Sequence, residues 1–141
     1  MKTNRTNLSF AAVVAAVLLV SACQTTSAPE TKQIASQRAG DLAIVLESQT
    51  GELAQGQNRF TIAFRSAADN QPVDAGSVTV SSSMTMPGMA PMVAPIELQP
   101  AGETGKYAVT GDFGMSGAWR FEVRWDGPAG RGSTTFSSNV R

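Results

Sequence analysis

Five methionines carry most of the chemistry that this sequence offers. Beyond Met1 they are Met84, Met86, Met89, Met92 and Met115, and the first four fall within the run SMTMPGMAPM. Thioether sulfurs are soft, uncharged donors that suit Cu(I), and their affinity does not depend on losing a proton. If a strand runs as far as Pro87, Met84 and Met86 share one of its faces, and Pro87, Gly88 and Pro91 turn the chain so that Met89 and Met92 can approach them. Three converging thioethers would hold Cu(I) or Ag(I). The same residues have two plainer uses. Methionine fills irregular gaps and makes adaptable contact surfaces, and exposed methionines can absorb oxidant and be repaired from the sulfoxide.

The remaining composition narrows the field. The 141 residues include 11 Lys plus Arg, 11 Asp plus Glu, one cysteine and no histidine. Without histidine there is no Ser/His/Asp or Cys/His catalytic set, no mixed His/Met site able to hold Cu(II), and no proton shuttle tuned near neutrality. A net charge of zero leaves no basic surplus for a phosphate backbone, so no nucleic-acid partner is expected. One cysteine forms no intramolecular disulfide.

That cysteine has an address of its own. Lys2 and Arg5 precede an uncharged apolar run, LSFAAVVAAVLLV, which is short for a membrane span and typical of a signal peptide. The run ends in Val20-Ser21-Ala22-Cys23, which resembles the bacterial lipobox. The resemblance implies a signal peptide over residues 1–22, a diacylglyceryl group on the Cys23 thiol, and membrane attachment through that anchor. Gln24 in place of an aspartate after the cysteine implies export to the outer membrane, facing the periplasm. Without Lys2 and Arg5, nine basic residues face 11 acidic ones, so the acyl chains alone must provide the hold, and more than one is needed.

Residues 23–40 form the next segment, the lipidated cysteine and a tether. The stretch QTTSAPETKQIASQRAG has almost no bulky apolar side chains with which to offset chain entropy. The folded domain is expected over 41–141. There the apolar residues alternate: Leu42, Ile44, Leu46; Phe60, Ile62, Phe64; Val78, Val80; Tyr107, Val109; and Trp119, Phe121, Val123, Trp125. Period two indicates half-buried strands, and Gly/Pro/Asp clusters separate the runs. About seven short strands without a helical stripe predict an all-β fold, an immunoglobulin-like antiparallel β-sandwich, with a small closed barrel as the alternative. Trp119 and Trp125 are expected at the centre of the core.

Several motifs together resemble a known family. Gly51-Glu52-Leu53, Gly56-Gln57-Asn58, Phe60, Pro72-Val73, Val78, the MTMPGM run from Met84 to Met89, Gly105-Lys106-Tyr107, and the FGMSGAW run from Phe113 to Trp119 are similar to the YtkA-like domain, related to the FixH-like domain. The resemblance implies an immunoglobulin-like sandwich in an exported bacterial lipoprotein or membrane-anchored protein, of a type also found beside heavy-metal efflux adaptors. It maps the two methionine motifs of the family onto Met84, Met86, Met89 and Met115. Met115, in the turn before the Trp119 strand, is then expected near the 84–92 loop as a fifth donor.

Other sites are weaker. Asp69, Asn70 and Asp74 lack EF-hand spacing, and Pro72 favours an ordinary hairpin turn. GPAGRG at 127–132 joins two strands and opens no helix, so it offers no phosphate cradle. Lys106 is the only lysine beyond Asp41 and has no Ser-x-x-Lys partner. The chain is therefore not expected to be an enzyme. The two functions left are metal handling through the methionines, alongside an envelope efflux or assembly partner, and metal-free docking of an envelope protein by the Met/Pro loop.

Overall fold

A computed structural model of the protein describes residues 30–141; the expected signal peptide at 1–22 and Cys23 lie outside the described residues. Nine strands follow one another: β1 (Lys32–Ala39), β2 (Leu42–Ser48), β3 (Gly56–Ser66), β4 (Ser77–Met84), β5 (Met92–Ala94), β6 (Ile96–Pro100), β7 (Lys106–Phe113), β8 (Gly117–Gly127) and β9 (Gly130–Val140). No helix occurs among the described residues. One sheet has the order β1-β2-β3-β7-β6 and the other β5-β4-β8-β9, with every strand pair antiparallel. The fold is thus the expected immunoglobulin-like β-sandwich and not a closed barrel, with nine strands where about seven are expected from the alternating runs.

Alternation builds the core. β2 places Leu42, Ile44, Leu46 and Ser48 inward, and β8 places Trp119, Phe121, Val123 and Trp125 inward, so both expected tryptophans are buried. Side chains from the two sheets meet edge to face. Phe113 lies 5.2 Å from Trp119 and 5.6 Å from Phe121, and Phe64 lies 5.6 Å from Trp125; within one sheet, Phe64 also lies 5.7 Å from Tyr107. These T-shaped pairs add to the area they bury because a positive ring edge meets a negative ring face. The Tyr107 hydroxyl donates to the Gly76 carbonyl at 2.9 Å. Burial and then the nearby Asp74 charge push its pKa above the usual tyrosine value.

Two boundaries differ from the sequence expectation. The segment Lys32–Ala39, expected within the tether, is a strand paired to β2 from Lys32↔Ser48 to Ala39↔Leu42, with a bulge at Ile34. It buries little and is held by backbone ladder bonds along the sheet edge, for which side-chain composition is no guide. The stretch from Met92 to Pro100, which lies outside the alternating runs, is the other: it holds two further strands. Pro95 cannot donate a ladder bond, and there the chain passes from one sheet to the other, leaving β5 against β4 and β6 against β7. The acidic segment at 69–74 is a turn, as expected: Ser66 N–H donates to the Gln71 carbonyl at 2.8 Å and Gln71 N–H to the Asp69 carboxylate at 3.3 Å.

Candidate metal centre

The strand directions gather the methionines at one end of the sandwich. β4 runs toward that end and finishes at Met84; β5 returns from it, beginning at Met92, and the two residues stand directly opposite in the antiparallel register. Between them Met86-Pro87-Gly88-Met89 forms a tight turn in which Met89 N–H donates to the Met86 carbonyl at 3.2 Å. Pro87 presets the second position, and Gly88, at φ 76°, supplies the left-handed third position of a type II turn.

The turn from Gly114 to Gly117, which joins β7 to β8, lies against this pair. A β-carbon on Gly117 would stand 2.9 Å from the Met84 sulfur, and one on Gly114 would stand 3.9 Å from the Met92 methyl. Met115 sits between those two glycines. Its carbonyl accepts the indole N–H of Trp119 at 3.0 Å, and the Gly114 carbonyl accepts the side-chain amide of Gln55 at 3.0 Å. The turn is therefore fastened on both sides.

The five candidate donors differ in depth. Met84 is 5% exposed and belongs to the core; Met86 and Met92 are half-buried against it; Met89 is 63% and Met115 40% exposed. The fold thus brings together Met84, Met92 and the turn that carries Met115, whereas Met86 leans on the core and Met89 projects into solvent from its own turn. The donor set is neutral and apolar, of the kind that suits a soft monovalent ion. Among the described residues no three His, Cys, Asp or Glu side chains are placed to hold a metal.

Several neighbours that matter here carry no obvious sequence signal. Val93, on the outward face of β5, is 72% exposed and joins Met89 and Met115 as a large exposed apolar side chain. Ser82, two residues before Met84 on the same inward face, is 1% exposed, and its hydroxyl has no hydrogen-bond partner. Gly114 and Gly117 frame Met115 with a spacing that is visible in sequence, but their contact with Met84 and Met92 depends on the fold.

Known proteins offer limited parallels. No curated protein matches the chain. Among solved structures, it is similar to PcoC, a methionine-rich copper resistance protein from Escherichia coli, with TM-score 0.47 and 13% identity over 64% of this chain and 88% of that one. It is also similar to a DUF4426 family protein from Pseudomonas aeruginosa PAO1, with TM-score 0.48 and 20% identity over 74% of this chain and 93% of that one. Likeness at this level carries no argument about function. The family model described as YtkA-like matches residues 36–124. That match takes in both the Met84 to Met92 segment and the Met115 turn, and with more than half of its length covered, the chain belongs to the YtkA-like family.

Proposed function

We propose that this protein is a lipid-anchored component of the bacterial cell envelope, on the outer membrane facing the periplasm, that binds Cu(I) or Ag(I) through its methionine-rich end. The observation that supports this reading best is the cross-strand placement of Met84 opposite Met92, with the Met115 turn packed on both. Met84 and Met92 are the inner donors. Met86, Met89 and Met115 supply further thioethers from the rim. None of these groups titrates, so the affinity should persist at mildly acid pH. The protein's task is to hold or present the ion to an efflux or assembly partner and is not enzymatic.

The test is an anaerobic Cu(I) titration of residues 24–141 against a competing chelator, beside a variant with Met84, Met86, Met89 and Met92 all changed to Leu. Leucine keeps apolarity and nearly the same volume. Stoichiometric binding that disappears in the variant is the expected result; equal behaviour of the two proteins would refute the metal reading.

A second reading rests on the exposure of Met89, Val93 and Met115. In it the same end docks an envelope protein without any metal. Leucine substitution then weakens function only mildly, because an apolar contact tolerates the exchange.

A further inference from the structure

We infer that the methionine-rich end of the domain rests on the lipid bilayer that holds the chain's own anchor, with Met89, Val93 and Met115 as the side chains that touch it. The inference rests on lipidation of Cys23 and is independent of whether a metal is bound.

The place where the chain enters the fold carries the argument. Lys32 opens β1 opposite Ser48, and a β-carbon on Gly51, in the loop that follows β2, would stand 2.9 Å from the Lys32 β-carbon. That loop is tied to the C-terminus by Arg141 N–H donating to the Leu53 carbonyl at 2.9 Å, and to the β7–β8 turn by Gln55 donating to the Gly114 carbonyl at 3.0 Å. Val140 in turn pairs with Gly117, on which the Met84 sulfur rests. The chain therefore leaves its anchor and enters the sandwich at the end where the methionines are gathered.

Length then limits the orientations. Residues 24–31 separate Cys23 from β1, and even fully extended they reach about 30 Å. β8 and β9, each 11 residues long, run the length of the sandwich, about 36 Å. The opposite end, with its turn at residues 67–72, lies roughly 25 Å beyond Lys32 along β1, so it meets the bilayer only with the tether drawn almost straight, whereas the methionine end meets it with the tether slack.

The surface at the entry end suits that neighbour. Among the described residues the exposed large apolar side chains are Met89, Val93 and Met115, and all three are there. Glu52 and Arg141, at the same end, neutralise one another at 2.8 Å. A patch of three side chains is too small to hold a free protein on a membrane. Anchoring makes the contact intramolecular, with an effective concentration in the millimolar range, and at that concentration a weak patch is populated.

The test uses the full, lipidated chain in vesicles of phosphatidylethanolamine and phosphatidylglycerol that contain a nitroxide lipid labelled near the headgroup. Because Cys23 is the only cysteine and its thiol carries the lipid, A90C and A68C each provide one thiol for a fluorophore, the first at the methionine end and the second at the opposite end. Quenching several-fold stronger at position 90 than at 68, unchanged by high salt and lost when Met89 and Met115 are changed to Ser, is the expected result. Equal quenching at the two positions overturns the inference. So does quenching at position 90 that appears only after membrane-embedded proteins are added, which would assign this end to a protein partner. Intact mass separates the two premises: a chain without the diacylglyceryl increment removes the anchor and this inference with it, whereas a lipidated chain with equal quenching removes the inference alone.

Discussion

The sulfur of Met84 lies so close to Gly117 that a β-carbon there would stand 2.9 Å from it. Gly117 also has a φ of 140°, a conformation that side-chain-bearing residues rarely adopt. Glycine is thus needed at this position both for the path of the backbone and for the seating of the sulfur.

Gly117→Ala should consequently lower stability by about 1–3 kcal/mol, the scale of a residue forced into a sparsely populated conformation. The sulfur, at the far end of a flexible side chain, can move aside, so a second effect would fall on the proposed metal site. Cu(I) affinity should drop roughly tenfold or more, as when a group that orients a ligand is disturbed. A chelator competition and a urea titration on the same sample measure the two effects; unchanged affinity would show that Met84 is not a donor.

Depth also orders the reactivity of the methionines. Met89 and Met115, at 63% and 40% exposure, should form sulfoxide under mild peroxide well before Met84, at 5%. Peptide mapping by mass spectrometry over a time course gives the order directly. Bound Cu(I) should slow oxidation of any methionine that ligates it, so a protection pattern without Met115 would exclude that residue from the site.

Tyr107 makes stability sensitive to alkali. Its folded-state pKa is raised above 10.0 by burial and by Asp74, so the neutral phenol is favoured on folding. The resulting stability is fully present below pH 10 and is lost as pH rises through the higher folded value. Tyr107→Phe should cost about 1 kcal/mol at neutral pH, through the lost hydrogen bond to Gly76, and should shrink the decline in urea midpoint above pH 10. A decline as steep as that of the unaltered protein would assign the alkaline loss to other groups.

The buried hydroxyl of Ser82 offers a gain. It has no partner, so Ser82→Ala removes an uncompensated polar group and should leave stability unchanged or raise it by about 1 kcal/mol. Thermal unfolding followed by circular dichroism is sufficient to measure this. Marked destabilisation would mean that the hydroxyl is engaged, with an internal water as the first suspect.

Legibility in the sequence followed side-chain periodicity. The alternation of Trp119, Phe121, Val123 and Trp125 specified a strand and its buried face correctly, because one face of β8 meets the core and the other meets water. Lys32–Ala39 has no such contrast; it is a strand by virtue of its backbone bonds to β2, so a composition-based reading takes it for tether. The change of sheet at Pro95 was hidden for a related reason, since proline signals a break but not where the chain goes next. At the candidate site the cluster within Met84 to Met92 was plain. The approach of the Met115 turn was expected only by resemblance, and the structure supports the nearness of the turn through Gly114 and Gly117. The exposure of Val93 had no signal, because an apolar residue in a three-residue strand can face either way.

The passage of the chain between sheets at Pro95 also bears on how copies of this protein coexist. Along that side the outermost strands are short, three residues in β5 and five in β6, and the second ends at Pro100. On the other side β1 and β9 lie along one another and shield each other's outer margins. A neighbouring chain can extend a sheet only where it finds a run of unsatisfied peptide groups. These margins offer no such run, so an encounter between two copies does not fuse two sandwiches into one continuous sheet.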